Sequence, residues 1–475
     1  MTDQLLLSDI LFSSANRTPH QVALSHRNQT ATFAEMADRV THLADVLAGR
    51  GVRRGHRVGW WGGVHIHASA LYYALASLGG VFVPINPAFN PDEAKAVLDA
   101  ADPELVVTDE EHAGDVVIES LLGERASGSV RREEVSEHDP DVIFFTSGTT
   151  GAPKGVVLSQ RANWLRTASG IHTARVSMSM FPQFHWAGWS FLHSAWFRGS
   201  EYVLEDGGDT EALLAAIERR RVESFYAIPA VWRRILDGAY KDYDTSSLQQ
   251  ADTGTSSTPP DLLAEIAAAF PGTRTKIGYG ATEAGGICTL APEDLARKPN
   301  SVGLPAPGMQ VRLVDEELWV RSPYAFLGYY NSPDLTAEVV VDGWYRTGDV
   351  VSRDEEGYIT VLGRLKEQIR TGGEFVAPAE VDEVIRRHPA VADAAVAGVP
   401  TANWGEVVTA FVVLRPGHTL DLAVLRRHCE ASLARFKVPR ALHLVSEIPI
   451  TASTGKVQRR SLVALAKGLE QAAEE

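Results

Sequence analysis

Apolar positions along the chain follow two different periods. Val142 to Phe145 is an unbroken apolar run of strand length, whereas Leu213, Leu214 and Ile217 recur at the spacing of one helix face. Segments of both kinds alternate up to about Gly363. Such alternation is typical of an α/β core with largely parallel strands. Asp209 and Thr210 precede this helical segment, at the position where a helix cap is expected.

The pattern changes after Gly363. Residues 378–388 and 423–436 show helical periods, and the apolar run at 407–414 between them predicts a strand. Together they predict a small α+β unit of about 110 residues. We therefore expect a large domain at 1–364 and a small one at 365–475. Since no low-complexity linker separates them, a tight hinge is expected.

Composition narrows the function classes. The chain has 475 residues and a formal charge of −15, which argues against nucleic acid as a main partner. Its two cysteines, Cys288 and Cys429, form no disulfide framework, in keeping with a reducing compartment. No signal-peptide pattern is found, and the longest apolar stretch, 68–83, is short of a membrane span. The expectation is a soluble, cytoplasmic protein without a transmembrane segment.

A loop rich in glycine and hydroxyl residues follows the apolar run at 142–145. Glycines let backbone N–H groups approach a phosphate, hydroxyls donate to its oxygens, and Lys154 adds a positive charge. The loop is not a Walker A motif, because Pro153 precedes the lysine. Alternatively, it is an ordinary surface loop. The residues predicted to bind phosphate, besides Lys154, are Thr146, Ser147, Gly148, Thr149, Thr150 and Gly151.

This loop, with the motifs described next, resembles the adenylate-forming superfamily of acyl-CoA synthetases, peptide-synthetase adenylation domains and luciferases. The resemblance covers nearly the whole chain. It implies a large N-terminal domain of two α/β sheet subdomains and a small distorted β-barrel, followed by a small mobile α+β lid. It also implies ATP, Mg²⁺ and coenzyme A as cofactors, and a small carboxylic acid as substrate.

The segment from Gly278 to Glu283 resembles the Tyr-Gly-x-Thr-Glu motif of that superfamily. The resemblance implies that Tyr279 stacks on adenine, that Thr282 contacts the α-phosphate and that Glu283 binds Mg²⁺. A hard carboxylate beside substrate phosphates suits this ion. Taken alone, a Thr-Glu pair is more often a helix cap. Neighbouring residues implied at the site are Gly278, Gly280 and, on the acid side, Ala281, with Ser256 and Ser257 in the adenine-side loop.

Further motifs lie in the last third of the chain. Tyr-Arg-Thr-Gly-Asp ends at Asp349, which by resemblance accepts both ribose hydroxyls, and Gly-Arg-Leu-Lys-Glu places Arg364 near the ribose with Lys366 as the hinge. Read without the family, these are a tight turn and a charged loop. One departure lies nearby, because Glu316-Glu317-Leu318 replaces the usual Gly-Glu-Leu.

Three residues are expected to act from the lid. Arg370 and Gly373 belong to a loop that resembles the one entering the site for thioester formation. Lys456, in Thr-Gly-Lys, is implied to contact the carboxylate and the α-phosphate, although one residue is extra between Pro449 and Gly455. A lone Gly-Lys is otherwise an exposed surface turn. We expect the lid to rotate about Lys366 between the two half-reactions.

The acid pocket is harder to derive from sequence. Phe184-His185-Trp186-Ala187-Gly188 resembles the Phe-His-x-x-Gly of acyl-CoA synthetases and lacks the Asp that pairs with an amino-acid ammonium. His185 is expected to gate the pantetheine channel, although a packed core histidine is the alternative. The candidates for an apolar pocket wall are Trp189, Tyr226, Trp232 and Ile287.

The expected reaction is ATP-dependent formation of an acyl-adenylate with release of pyrophosphate, followed by transfer to coenzyme A. Two alternatives stay open. A stand-alone adenylation enzyme would deliver the acyl group to a carrier-protein pantetheine. A catalytically silent nucleotide-binding relative is the other, and the filled catalytic positions argue against it.

Overall fold

The computed structural model describes residues 4–109, 112, 114–126, 135–146, 153–169, 174–256, 258–371, 374–401, 405–451 and 455–474. Within them the helices are α1 (Ser8–Arg17), α2 (Phe33–Gly49), α3 (Ile66–Leu78), α4 (Pro91–Ala101), α5 (Ile118–Gly123), α6 (Gln160–Ser169), α7 (Trp186–Arg198), α8 (Thr210–Arg220), α9 (Pro229–Leu236), α10 (Pro260–Ala269), α11 (Pro333–Val339), α12 (Pro378–Arg386), α13 (Leu422–Glu430) and α14 (Arg459–Glu474).

The strands of the same residues are β1 (Val22–His26), β2 (Gln29–Thr32), β3 (Arg57–Trp61), β4 (Val81–Ile85), β5 (Leu105–Thr108), β6 (Val116–Val117), β7 (Pro140–Thr146), β8 (Lys154–Ser159), β9 (Val176–Ser179), β10 (Glu201–Leu204), β11 (Ser224–Tyr226), β12 (Gln250–Gly254), β13 (Ile277–Ala281), β14 (Gly285–Leu290), β15 (Leu304–Pro305), β16 (Gln310–Val314), β17 (Glu317–Arg321), β18 (Gly328–Tyr329), β19 (Val340–Val341), β20 (Trp344–Arg353), β21 (Ile359–Arg364), β22 (Ile369–Thr371), β23 (Glu374–Val376), β24 (Val391–Thr401), β25 (Gly405–Leu414) and β26 (Ala441–Leu444).

The strands form four sheets. A nine-stranded sheet has the order β15-β14-β13-β12-β11-β9-β10-β1-β2, and a seven-stranded sheet has the order β18-β8-β7-β4-β3-β5-β6. A third sheet is ordered β16-β17-β20-β19, with β21 beside β20. The fourth is ordered β23-β22-β25-β24, with β26 beside β25. The large α/β domain and the small C-terminal α+β domain expected from the sequence are therefore confirmed.

By its internal contacts the chain divides into two compact units. The first consists of Met1–Pro299, Pro305–Gln310 and Val320–Tyr345, and the second of Asn300–Leu304, Val311–Trp319 and Arg346–Glu475. The boundary expected after Arg364 stays a prediction, because this division follows contacts and interleaves the segments around residue 300. Among the described residues, none of the helices has the length and apolar character needed to cross a membrane.

Several local predictions are confirmed, and one is wrong in its extent. The carboxylate of Asp209 caps α8 by accepting from the backbone N–H groups of Glu211 and Ala212. The apolar stretch at 68–83 is divided between α3 and β4, and Gly79 ends the helix in the left-handed conformation. The helix expected at 423–436 ends at Glu430. Beyond it the chain turns, and Leu433 and Val438 are buried in the core that this helix also covers.

Candidate active site

Four neighbouring parallel strands of the first unit end at one edge of the nine-stranded sheet. These are β9, β11, β12 and β13. In parallel α/β sheets ligands bind outside the carboxyl ends of the strands. Tyr226 ends β11, and the segments that follow the other three strands contain Phe181, Thr255 and Thr282. The sheet topology thus brings Tyr226, predicted for the acid pocket, and Thr282, predicted for the nucleotide, to a common edge.

The predicted phosphate loop connects two antiparallel strands of the seven-stranded sheet. Thr146, the last residue of β7, is paired with Lys154, the first residue of β8. The side chain of Thr146 and the whole of Ser147, Gly148, Thr149, Thr150 and Gly151 lie outside the described part of the structure. The Lys154 ammonium is 5.9 Å from the ring centre of Tyr329. The described end of the loop is therefore next to a side chain that also contacts Glu283.

Thr282 and Glu283 lie in a tight turn between β13 and β14, where the Ala284 amide donates to the Ala281 carbonyl at 3.2 Å. Both side chains are half-buried. The Tyr329 hydroxyl donates to Oε1 of Glu283 at 2.8 Å. This hydrogen bond fixes the carboxylate predicted to hold Mg²⁺. Sequence reasoning missed Tyr329, because a tyrosine far along the chain carries no motif for this contact.

Close backbone packing explains two of the glycines around the nucleotide motifs. A Cβ at Gly280 would lie 2.5 Å from the carbonyl oxygen of Gly285, on the other strand of the β13–β14 hairpin. A Cβ at Gly254, which has a φ of +150°, would lie 2.1 Å from the carbonyl oxygen of Gly278. Only glycine fits these positions without moving the backbone.

The structure describes three of the four residues predicted on the adenine and acid side of the turn. Tyr279, expected to stack on adenine, is half-buried and paired with Cys288 across the hairpin. Ala281, the last residue of β13, is opposite Gly285. Ser256 is half-buried just beyond β12, and Ser257 lies outside the described residues. Their contacts with a nucleotide stay predictions.

His185 directly precedes α7, and its backbone N–H donates to the carbonyl of Pro182 at 3.0 Å. Its ring lies 4.9 Å from that of Phe184 and 6.4 Å from that of Phe181. A Cβ at Gly188 would come within 2.8 Å of the Phe181 and Pro182 carbonyl oxygens. The glycine of the His-x-x-Gly spacing therefore lets the first turn of α7 pack on the loop that carries His185.

Of the predicted pocket residues, Tyr226 has the surroundings most suited to that role. Its ring lies 5.0 Å from Phe191 and 5.6 Å from Phe181, and burial raises the pKa of its hydroxyl. A Cβ at Gly254 would lie 2.4 Å from that hydroxyl. The Tyr226 side chain therefore extends from the end of β11 to the adenine-side loop.

The other candidates for the pocket wall have the neighbours of core residues. Trp189 packs edge-on against Tyr72 and Phe82, and the Trp232 indole donates to the Asp252 carbonyl at 3.0 Å. Both tryptophans are at most 1% exposed, and Ile287 is fully buried. Their part in an acid pocket stays a prediction that these contacts do not strengthen.

A second group of predicted residues belongs to the second unit. There Nε of Arg364 is 2.7 Å from Oδ1 of Asp349, and its Nη1 donates to the Thr347 carbonyl at 3.0 Å. Glu317 is buried, accepts from the Gly348 amide at 3.1 Å and pairs with Arg346 at 3.0 Å. Glu317 thus holds the turn that presents Asp349, and the neighbouring Leu318 carbonyl accepts from the Thr347 hydroxyl at 2.7 Å.

The predicted hinge and lid residues lie just beyond. Lys366 is exposed in a short 3₁₀ turn at Leu365–Glu367. Arg370 is exposed, its amide donates to Glu406 at 2.7 Å, and its guanidinium lies over the Phe375 ring at 5.3 Å. Gly373 lies outside the described residues. Hinge motion and coenzyme A contacts remain predictions for these residues.

Lys456 is exposed at the end of a closed loop. The Thr451 amide donates to the Lys456 carbonyl at 2.8 Å, and the Gln458 amide donates to the Pro449 carbonyl at 2.8 Å. The described residues on either side of 452–454 are thus hydrogen-bonded to one another. Three residues further on, Arg459 donates to the buried carboxylate of Asp382 at 2.8 Å. This ion pair attaches the base of the Lys456 loop to α12.

The models of two protein families match this chain. The model of the family "AMP-binding enzyme" matches residues 11–330, and that of the "AMP-binding enzyme C-terminal domain" matches residues 380–456.

Individual proteins match over nearly their whole length. An indoleacetate–CoA ligase of Aromatoleum aromaticum is 32% identical, with 98% of this chain and 99% of the relative covered. A feruloyl-CoA synthase of Amycolatopsis is 31% identical, with 94% and 97% covered. The structure of o-succinylbenzoate CoA synthetase from Bacillus subtilis, in complex with its acyl-adenylate intermediate, has a TM-score of 0.85 and 27% identity, with 95% and 97% covered.

Proposed function

The chain belongs to the AMP-binding enzyme family, and we propose that the carboxylic acid it activates is aromatic. We place this acid beside Phe181 and Tyr226, at the carboxyl ends of the parallel strands. The chain is an acid–thiol ligase: it uses ATP to convert a carboxylic acid to acyl-AMP with release of pyrophosphate, and transfers the acyl group to coenzyme A.

A cluster of three aromatic side chains supports the proposal of an aromatic acid. The ring centres of Phe181, Phe191 and Tyr226 lie within 6.4 Å of one another. Phe181 follows β9, Tyr226 ends β11, and Phe191 belongs to α7. Aromatic rings prefer offset or edge-on aromatic partners, which favours a planar ring as the occupant. The three relatives named above act on or bind indoleacetate, feruloyl and succinylbenzoyl groups, and each of these acids contains an aromatic ring.

In the first half-reaction, negative charge builds up on the phosphates as pyrophosphate leaves, and the enzyme must stabilise this charge. We assign Lys154 to the phosphates, Thr282 to the α-phosphate and Lys456 to the carboxylate and the α-phosphate, since fixed cations and donors act most strongly on charge that develops in the transition state. Glu283 would hold Mg²⁺ through its carboxylate, because this ion takes one or two carboxylates beside substrate phosphates. Bound there, Mg²⁺ would neutralise phosphate charge.

Two of the predicted residues are assigned to the nucleoside. Tyr279 offers a ring for adenine, and Asp349 offers two carboxylate oxygens for the ribose hydroxyls. Arg364 orients the Asp349 carboxylate through its 2.7 Å ion pair. His185 and Arg370 are assigned to the passage and binding of coenzyme A, with Lys366 as the hinge of the lid.

A pyrophosphate-release assay over paired acids tests the substrate class. Indoleacetate, ferulate and 2-succinylbenzoate are compared with cyclohexylacetate, octanoate and malonate at saturating ATP. We expect kcat/KM for at least one aromatic acid to exceed that of every non-aromatic acid by about tenfold or more. A preferred aliphatic acid would overturn the aromatic assignment.

The acceptor is tested separately. Purified enzyme is given the preferred acid with either free coenzyme A or a holo carrier protein, and thioester is measured by mass spectrometry. Coenzyme A is expected to be the better acceptor. Faster loading of the carrier protein would favour the stand-alone adenylation enzyme instead.

A further inference from the structure

A buried arginine lies behind the turn that carries Thr282 and Glu283. Arg166, on α6, is only 5% exposed. Its Nη1 donates to the Thr282 carbonyl at 3.0 Å and its Nη2 to the Glu283 carbonyl at 3.1 Å. A third nitrogen, Nε, donates to the Tyr324 carbonyl at 2.9 Å. One rigid guanidinium thus binds three backbone carbonyls from two segments of the first unit.

The guanidinium also contacts the helix that follows His185. Its central carbon lies 4.9 Å from the centre of the Trp186 ring. An arginine stacked on an aromatic ring gains a favourable cation–π interaction, stronger where water is excluded. The Thr282–Glu283 turn and the start of α7 are therefore positioned against the same planar group.

The surroundings are shaped for this side chain. Gly285 has a φ of +79°, and a Cβ there would lie 3.1 Å from Nε of Arg166. Burial lowers the pKa of Arg166 to about 10, with Glu283 opposing the shift, so the group stays charged at neutral pH. A buried charge is costly unless it is hydrogen-bonded, and here the backbone of the candidate metal turn supplies those bonds.

We propose that Arg166 is a positioning residue for adenylation: by binding the two carbonyls it fixes the backbone of the turn, and thereby the directions of the Thr282 hydroxyl and the Glu283 carboxylate. The inference rests on the proposed roles of these two residues. Lysine is a poor substitute, because an ammonium lacks the planar fork that binds several acceptors at fixed angles.

The test separates the two half-reactions in Arg166→Met and Arg166→Lys. Adenylation is measured as acid-dependent ATP–pyrophosphate exchange at a series of Mg²⁺ concentrations. Thioester formation is measured after the synthetic acyl-adenylate and coenzyme A are supplied to the enzyme. Arg161→Met is the matched control, since Arg161 is on the same helix and pairs with Glu137. The melting temperature of each variant is recorded.

For Arg166→Met we expect the exchange rate to fall about 100-fold, because small misplacements of positioned groups cost that much. The Mg²⁺ concentration for half-maximal rate should rise, and thioester formation should stay within about threefold of wild type. Arg166→Lys should recover part of the exchange at high Mg²⁺. Arg161→Met should match wild type.

Equal loss of both half-reactions in a folded variant would overturn the positioning role, and so would unchanged exchange. If Arg166→Met does not fold, the Mg²⁺ dependence of Arg166→Lys decides the question, and a wild-type dependence there counts against the proposal. If aromatic acids give no exchange with wild type, the substrate class is wrong, and Arg166 is tested with the acid that wild type does use.

Discussion

The Tyr329 hydroxyl donates a 2.8 Å hydrogen bond to Oε1 of Glu283, while the Lys154 ammonium lies 5.9 Å from the same tyrosine ring. One side chain of β18 thus links the end of the phosphate loop to the candidate metal carboxylate. Because the hydrogen bond to Oε1 fixes the orientation of the Glu283 carboxylate, its second oxygen can bind a cation in a defined direction.

Removing that hydroxyl should weaken adenylation. In Tyr329→Phe the Glu283 carboxylate loses a charge-assisted bond, so we expect kcat for acid-dependent ATP–pyrophosphate exchange to fall by about tenfold to a hundredfold. The half-saturating Mg²⁺ concentration should rise. Tyr330→Phe, one residue away, is the control. Equal Mg²⁺ requirements in both variants would mean that the hydrogen bond does not orient a metal ligand.

Lys456 should matter in only one half-reaction. Lys456→Ala removes a cation expected at the α-phosphate, so adenylation should fall by roughly 100-fold or more. Thioester formation from supplied acyl-adenylate should be spared, because the lid is expected to withdraw this lysine before thiol attack. Both rates are measured by quenched flow, with Lys467→Ala on α14 as the control. Parallel loss of both rates would contradict a lid with two working positions.

Asp349 should govern nucleotide affinity. Asp349→Ala removes both acceptors expected at the ribose and also removes the carboxylate that pairs with Arg364. We expect KM for ATP to rise by about tenfold or more, with KM for the acid little changed. Glu355→Gln, in the exposed turn after β20, serves as the control. An unchanged KM for ATP, with normal folding, would remove Asp349 from the nucleotide site.

Asp141 should give the fold a pH dependence. It is fully buried, accepts from Asn163 and Tyr72, and burial raises its pKa from 3.8 to about 7. Between about pH 4 and pH 7, the native state therefore keeps the proton on Asp141, whereas the unfolded chain has released it. Its contribution to the free energy of unfolding should fall as pH rises from about 4 to 7, by at most about 1.4 kcal/mol per pH unit.

Denaturant titrations at pH 5 and pH 7.5 check this. Asp141→Asn cannot ionise, so its stability relative to wild type should increase with pH. Asp139→Asn, two residues earlier and paired with Arg54, is the control and should show no such gain. Identical slopes for wild type and Asp141→Asn would show that the carboxyl is already ionised at pH 5.

The Arg459–Asp382 ion pair should stabilise the C-terminal fold. Asp382 is 4% exposed at its side chain and also accepts from the Val396 amide at 2.6 Å. Arg459→Met leaves that carboxylate buried without its cation, which costs about 3 kcal/mol. Hydrogen exchange of β24 amides should speed up accordingly, whereas Arg460→Met, at an exposed neighbour, should leave it unchanged. Equal protection in both variants would exclude this role.

Much of the fold and the candidate site followed from short stretches of sequence. The α/β core, the C-terminal α+β unit and the cap at Asp209 depend on local periods and on single polar residues next to them. The Thr-Glu, Gly-Asp and Gly-Lys motifs are identifiable because their chemistry confines each to a few residue types at fixed spacing. The helix expected at 423–436 shows the limit, since its end was set by burial of Leu433 and not by a local stop signal.

What the sequence by itself determined is therefore the reaction class, and it also predicts which residues face the ligands. Only the tertiary structure showed which side chains hold those residues in place. Arg166 precedes Thr282 by 116 residues, and Tyr329 follows Glu283 by 46. No local period relates positions so far apart, because their contacts arise only when α6 and β18 pack around one turn. The structure also showed that Trp189 and Trp232, predicted to line the acid pocket, have core partners. The sequence could not distinguish the two roles, because apolar side chains have the same sequence signature whether they line a ligand or fill a core.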